Sequence, residues 1–170
     1  MPNNETTYMD AVDILINQWQ REGFEAEKLV AMETLGRIKR LEVIIMRKLM
    51  ANYKENHNLS HWEFDVLATL RRAGSPYRLS PTELFDSMMV SSGTMTNRLQ
   101  SLEKKELIRR VENLEDKRSL LVELSSDGLE LINKAIVSHL KLENKLLEGL
   151  SKEEIDILNI LLKKMEQQLN

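Results

Sequence analysis

The run Ser91-Ser92-Gly93-Thr94-Met95-Thr96-Asn97-Arg98 places small hydroxyl residues, an amide and a guanidinium at a helix start. Short hydroxyl side chains let a helix approach a nucleic-acid groove closely, and asparagine can pair bidentately with adenine. The free N–H groups of a helix N-terminus also attract phosphate. Farther along, Asn113-Leu114-Glu115-Asp116-Lys117-Arg118 makes a polar tip between two strand-like segments. Lys117 and Arg118 on such a tip can enter a minor groove or meet its phosphates. The plainer reading is that the hydroxyls cap a helix and the tip is solvated. Spacing alone leaves both open.

Other chemistry finds little support. Cysteine is absent, which excludes disulfides, thiol catalysis and Cys-ligated zinc. His57 and His61 are four apart, but Asn58-Leu59-Ser60 breaks the helix between them and no third ligand is evident, so no metal is expected. His139 stands by itself on a polar stretch, and the nine methionines suit gap-filling. There is no Gly-rich phosphate loop and no nucleophile elbow, so neither a cofactor nor an enzyme activity is expected.

Most of the chain is patterned as helix. Tyr8, Val12, Leu15, Ile16 and Trp19 share one face of a short helix that Gly23 ends. A long helix over about 27–55 carries Ala31, Leu35, Ile38, Leu41, Ile45 and Leu49 as its apolar stripe. Ser60-His61-Trp62-Glu63, Ser80-Pro81-Thr82-Glu83 and Ser151-Lys152-Glu153-Glu154 each read as a capping box opening a helix. A helix of about two turns runs to Met88, a tight break follows at 90–93, and the next helix puts Met95, Leu99 and Leu102 on one face. The period then changes to two: 108–112 and 119–124 form a β-hairpin, the only convincing β-structure, with Leu120, Val122 and Leu124 alternating against Ser119, Leu121 and Glu123. Ser125 can cap the following helix. In the last helix Ile155, Leu158, Leu162, Met165 and Leu169 make a heptad seam, a pattern that packs on another helix.

The 170 residues are 42% apolar, enough for a core and against wholesale disorder. No apolar run is long enough to span a bilayer and the first residues do not read as a secretory leader, so a cytoplasmic protein without a membrane partner is expected. The net charge of -3 is unevenly spread. Residues 71–118 carry 10 Lys/Arg against 7 Asp/Glu, whereas 1–70 carry 8 against 11 and 119–170 carry 6 against 9. A basic middle between acidic flanks is a weak pointer to phosphate.

Taken together, the stretches 64–72, 79–84, 91–99 and Glu115-Asp116-Lys117-Arg118-Ser119 resemble the MarR family of winged helix-turn-helix regulators, over about residues 30 to 168. The Asp-x-Arg hairpin motif joined to a Ser-Ser-Gly-Thr helix start is the specific part. The resemblance implies a mainly α fold with one small β-hairpin, dimeric through its N- and C-terminal helices. Its parts would be an added helix over 1–24, a long dimer-body helix over 25–58, a DNA-binding lobe over 59–125 and dimerisation helices over 126–170. It also implies a pseudo-palindromic duplex DNA operator as partner. Ser91, Ser92, Thr94, Thr96, Asn97, Asp116, Lys117 and Arg118 would form the DNA-contacting set, with Asp116 orienting Arg118. Glu106 departs from the family, which often has glycine where the recognition helix ends.

The added first helix, with Trp19-Gln20-Arg21-Glu22 and the later Glu63-Phe64-Asp65-Val66-Leu67, is similar to the PecS and urate-responsive branch. That likeness implies ligand-response roles for Trp19, Asp65, Arg98 and Arg110, and a homodimeric repressor released by a small anionic aromatic effector such as urate. A phenolic effector is the neighbouring alternative. A helical protein-interaction module without DNA binding is the competing class. Each of the four residues also has a structural reading: a helix anchor, a surface ion pair, a phosphate contact and a solvated strand residue, in that order.

Overall fold

The computed structural model describes residues 8–88, 95–114, 116 and 119–169. Its elements are α1 (Ala11–Arg21), α2 (Ala26–His57), α3 (His61–Arg72), β1 (Arg78–Leu79), α4 (Pro81–Met88), α5 (Met95–Lys104), β2 (Ile108–Glu112), β3 (Leu120–Leu124), α6 (Ser126–Leu146) and α7 (Lys152–Leu169). The chain divides into two compact units, residues 1–48 and 49–170, and α2 runs through the boundary.

In the first unit, α1 begins with a capping box. The Asp10 carboxylate accepts from the N–H groups of Val12 and Asp13, and the Asp13 carboxylate accepts from the Asp10 N–H. Arg37 on α2 then ties the box down, its guanidinium donating to Asp10 at 2.9 Å, Asp13 at 2.5 Å and Glu33 at 2.6 Å. The Asp13 N–H and the Arg37 fork together hold the Asp10 carboxyl below its ordinary range. Val12, Ile16 and Leu29 form a small core. Gly23, at φ 90°, turns the chain out of α1 where a side chain would be strained. Of the expected α1 face, Val12 and Ile16 are buried whereas Tyr8, Leu15 and Trp19 are exposed.

In the second unit, α3 is central. It packs on α4, α6 and β3, and Val66, Leu67 and Leu70 are fully buried. Burying residues four apart on α3 needs an apolar face of helical period, which Val66 and Leu70 supply. Leu84 from α4, Leu99 and Leu102 from α5, Val122 from β3 and Ile132 from α6 complete the core with Tyr53 and Leu59. All four expected caps are present. Ser60, Ser80 and Ser151 donate their N–H groups to Glu63, Glu83 and Glu154, and Ser125 Oγ accepts from the Gly128 N–H.

The hairpin is joined by a third strand. β3 lies between β2 and β1, antiparallel to both, with Arg110 opposite Val122 and Arg78 opposite Glu123. The expectation of a hairpin as the only β-structure is therefore corrected. β1 has two residues, too few to show a period. The expected alternation also gives way: Leu120 is exposed and Glu123 is buried, because arginines on both neighbouring strands neutralise that carboxylate. Just past the end of α5 at Lys104, Glu106 has a left-handed φ of 59°, and the Leu107 N–H donates back to the Leu102 carbonyl.

The apolar stripe of α2 and the heptad seam of α7, expected to pack on other helices, are largely open in the single chain. Of the α2 stripe, Leu35, Leu41 and Ile45 are exposed and Leu49 is buried; on α7, Leu158, Leu162 and Leu169 are exposed. Among the described residues no helix is long and apolar enough to cross a membrane.

A tight junction generates a stability prediction. A Cβ added at Gly128 would lie 1.9 Å from the Leu107 carbonyl oxygen, so α6 can start there only with glycine. Gly128→Ala should cost roughly 3 kcal/mol, as overpacking against backbone does, seen as a lower urea midpoint with unchanged slope. A wild-type midpoint would refute the contact.

Candidate functional site

Helix α5 is oriented by its leucines. Leu99 and Leu102 are buried, so the opposite side faces outward and carries the exposed residues Asn97, Gln100 and Lys104. These are spaced three and four apart, one helical face. Asn97 was expected there; Gln100 and Lys104 were not, although counting on from Asn97 at helical spacing finds them. Ser91, Ser92, Thr94, Lys117 and Arg118 lie outside the described residues, as does the Thr96 side chain.

Beside α5, β2 and β3 pair in register from Ile108 with Leu124 to Glu112 with Leu120. The hairpin narrows at Ser119, whose N–H and hydroxyl both donate to the Asp116 carbonyl at 2.9 Å, while Asn113 donates its N–H and its side-chain amide to Ser119. The Asp116 residue itself is exposed. At the base of the hairpin, Arg109 donates to Glu123 at 2.5 Å and 3.1 Å, and Arg78 approaches the same carboxylate at 3.8 Å. Cross-strand charge pairs of this kind stabilise a sheet face.

A second cluster forms on the outer side of α3. Asp65 is half-buried and meets His61 Nε2 at 3.2 Å, one helical turn away. Burial pushes its carboxyl up, against the opposing pull of His61, His139, Arg98 and Arg72. The Arg98 guanidinium sits over the Trp62 ring, 5.7 Å from its centre. Arg72 donates to the Ser87 carbonyl at 2.5 Å, fastening the last turn of α4. Asp65, Ala68, Thr69, Arg72, Ser87 and Met88 line an open cleft of about 330 Å³. Two arginines near one carboxylate leave a net positive charge, which suits a small anion.

The structure thus brings Asp65 and Arg98 into one neighbourhood and adds Trp62, His61, Arg72 and His139. Trp62 and His61 precede Asp65 by three and four residues, so helical spacing from Asp65 finds them. Arg110 has a different partner, Glu103 at 3.5 Å. Trp19 belongs to the first unit, where its ring meets Phe24 edge-on at 5.3 Å. His139 does not stand by itself. It is hydrogen-bonded to the Tyr53 hydroxyl at 2.7 Å and packs against the Tyr53 and Phe64 rings, contacts that a sequence cannot show between residues so far apart.

A polar-fronted α5 following α4, flanked by a hairpin within a three-stranded sheet, is a winged helix-turn-helix. Residues 59–120 match the MarR family. The chain is 35% identical over 164 residues to the HTH-type transcriptional regulator PecS of Dickeya dadantii, covering 95% of this chain and 96% of that one. It is 32% identical over 122 residues to the multiple antibiotic resistance protein MarR of Salmonella typhimurium, covering 69% and 81%. The crystal structure of a mutant MarR from E. coli complexed with operator DNA superposes with a TM-score of 0.68 at 27% identity, covering 81% of this chain and 96% of that one. The chain belongs to the MarR family, whose members here are transcriptional regulators and not enzymes.

The Asp65 site makes a signed prediction. A carboxyl whose folded value is raised disfavours the folded state once pH exceeds its unfolded value, and this penalty vanishes when both states are protonated. Asp65→Asn should therefore resist urea better than the parent at neutral pH, with the gain fading below the ordinary aspartate range. A variant less stable than the parent at neutral pH would mean that the His61 contact outweighs burial.

Proposed function

We propose that the protein is a homodimeric, cytoplasmic transcriptional repressor that binds a pseudo-palindromic duplex through α5 and its hairpin. The observation that carries this is the outward face of α5, with Asn97, Gln100 and Lys104 opposite buried Leu99 and Leu102, in a chain of the MarR family. Residues 91–96 would meet base edges and phosphates at the helix start, and Lys117 and Arg118 would reach the adjacent minor groove with Asp116 orienting Arg118. Two recognition helices about one turn of DNA apart, roughly 34 Å, require a dimer. The exposed apolar residues of α2 and α7 supply surface for one.

The effector we infer is a small planar anion such as urate. Arg98 would hold its charge and Trp19 would stack on its face. An anion near Asp65 would repel or displace that carboxylate, and Arg110 at the hairpin base would feel the change. Release follows if the ligand prefers the conformation that cannot bind DNA.

Titration of a fluorescent duplex from upstream of the protein's own gene tests both halves. Arg118→Ala should weaken binding by roughly 1 to 3 kcal/mol, and unchanged affinity would remove the wing from recognition. Urate should release the wild type, while Trp19→Phe and Arg98→Ala should each need more of it. Identical urate responses in all three would exclude this ligand site and leave DNA binding untouched.

A further inference from the structure

Glu63 lies outside both the outward face of α5 and the Asp65 cleft, and it is only 4% exposed. Its Oε2 accepts from the Ser60 N–H and the Ser60 hydroxyl, both at 2.8 Å, and its Oε1 accepts from Lys105 Nζ at 2.5 Å. Burial pushes the carboxyl up, but these donors outweigh it and hold the group below its ordinary range. Lys105 follows the last residue of α5. Next to it, the Glu106 carbonyl accepts from Ser125 Oγ at 2.6 Å and the Leu107 carbonyl accepts from the Ser125 N–H at 3.1 Å. The C-terminal end of α5 is thereby fastened to the starts of two other helices, α3 through Glu63 and α6 through Ser125.

A second tie between α5 and α3, among the described residues, is Arg98 over Trp62. Arg98 and Lys105 are seven residues apart, two turns along one face, a rise of about 10 Å. Their partners Trp62 and Glu63 are neighbours in the first turn of α3. The two ties differ in stiffness. A cation–π contact between part-exposed groups is weak, whereas Glu63 is buried and loss of Lys105, itself about half exposed, would strand that carboxylate's charge.

We propose that the Glu63–Lys105 pair is the fixed end about which α5 is aimed at DNA, which makes both of them positioning residues for operator recognition. The inference deepens the proposed function and rests on α5 being the recognition helix. An anion that draws Arg98 off Trp62 would free the N-terminal half of α5 while the Lys105 end stays in place. Glu63 is buried and acidic, so any effect of its substitution on DNA binding is indirect, through Lys105 and α5 or through the α3 cap it forms with Ser60, and Lys105→Met separates the two.

The test first uses the wild-type protein to select a duplex from a randomised pool. Affinity for that duplex and for an unrelated one is then measured over a range of salt, for wild type, Lys105→Met, Lys105→Arg and Glu63→Gln, with thermal melting to establish folding. Lys105→Met and Glu63→Gln should each bind the selected duplex about tenfold more weakly, because each removes one partner of the tie that holds the end of α5 to the buried Glu63 carboxylate, with the unrelated duplex unaffected. Lys105→Arg keeps the charge and should stay within about twofold of wild type. A Lys105 that merely touched phosphate would weaken both duplexes alike, lower the salt slope by about one and leave Glu63→Gln at wild-type affinity; that pattern overturns the proposal. If Glu63→Gln does not fold, the ratio of the two duplex affinities in Lys105→Met against Lys105→Arg decides alone. A wild-type protein that selects no duplex overturns the DNA reading itself, and the proposal falls with it.

Discussion

Burial of Leu99 and Leu102 is the constraint on which the rest depends. A helix carrying two such leucines has one rotational phase that removes both from water, and each is worth about 1.5 to 3 kcal/mol when buried. That phase turns Asn97, Gln100 and Lys104 outward. The polar groups of α5 therefore need no force of their own to face a partner. Rotating α5 by a third of a turn would put amides into the core and leucines into solvent, which the unpaired polar groups alone would forbid. Recognition chemistry is presented as a by-product of packing chemistry, and α3, supplying Leu67 and Leu70 to the same core, acts as the jig.

What was legible in the sequence is what is decided locally. The Ser-x-x-Glu spacing fixed three helix starts because both partners of each cap lie within four residues. The hairpin was legible because a two-residue period shows over five residues; β1 was not, because two residues have no period and its strand character comes from pairing with Val122 and Glu123. Glu123 was read as an outward residue for the same reason. Its burial depends on Arg109 and Arg78, brought beside it by the sheet order. The candidate site divides along the same line. Asp65 and Arg98 came from resemblance to a known pattern, and Trp62 and His61 were within reach of helical counting. Arg72, two turns on along the same helix, was within that reach as well, whereas His139 meets Asp65 only after α3 and α6 have packed.

The apolar stripes of α2 and α7 show the complementary limit. Their periodicity is real, yet Leu35, Leu41, Leu158 and Leu162 remain exposed in a single chain. A hydrophobic period states that a face is to be covered and says nothing of what covers it. In α3 the cover is the same chain. In α7, where no residue is buried, intrachain packing does not account for the heptad, and that surplus of apolar surface is the physical reason to regard association as part of folding.

The charge distribution needs the same correction from sum to surface. The basic middle of the sequence suggested a field for phosphate, but much of it is consumed inside the fold. Arg78 and Arg109 share Glu123, Arg110 meets Glu103, Lys105 is bound by Glu63, and Arg72 is committed to the Ser87 carbonyl. Arg71 is engaged by Asn133 and the Tyr77 ring. Lys104 is outward, and among the described residues no ion pair or hydrogen bond engages it. These internal pairs make the lobe rigid at the cost of its long-range attraction for DNA. On the proposed mode of binding, a lobe built this way would gain its affinity from a few short contacts at the start of α5 and the hairpin tip, and less from a diffuse field. Its selectivity must then depend on holding α5 at a fixed angle, since weak steering cannot compensate for a recognition helix that arrives misaligned.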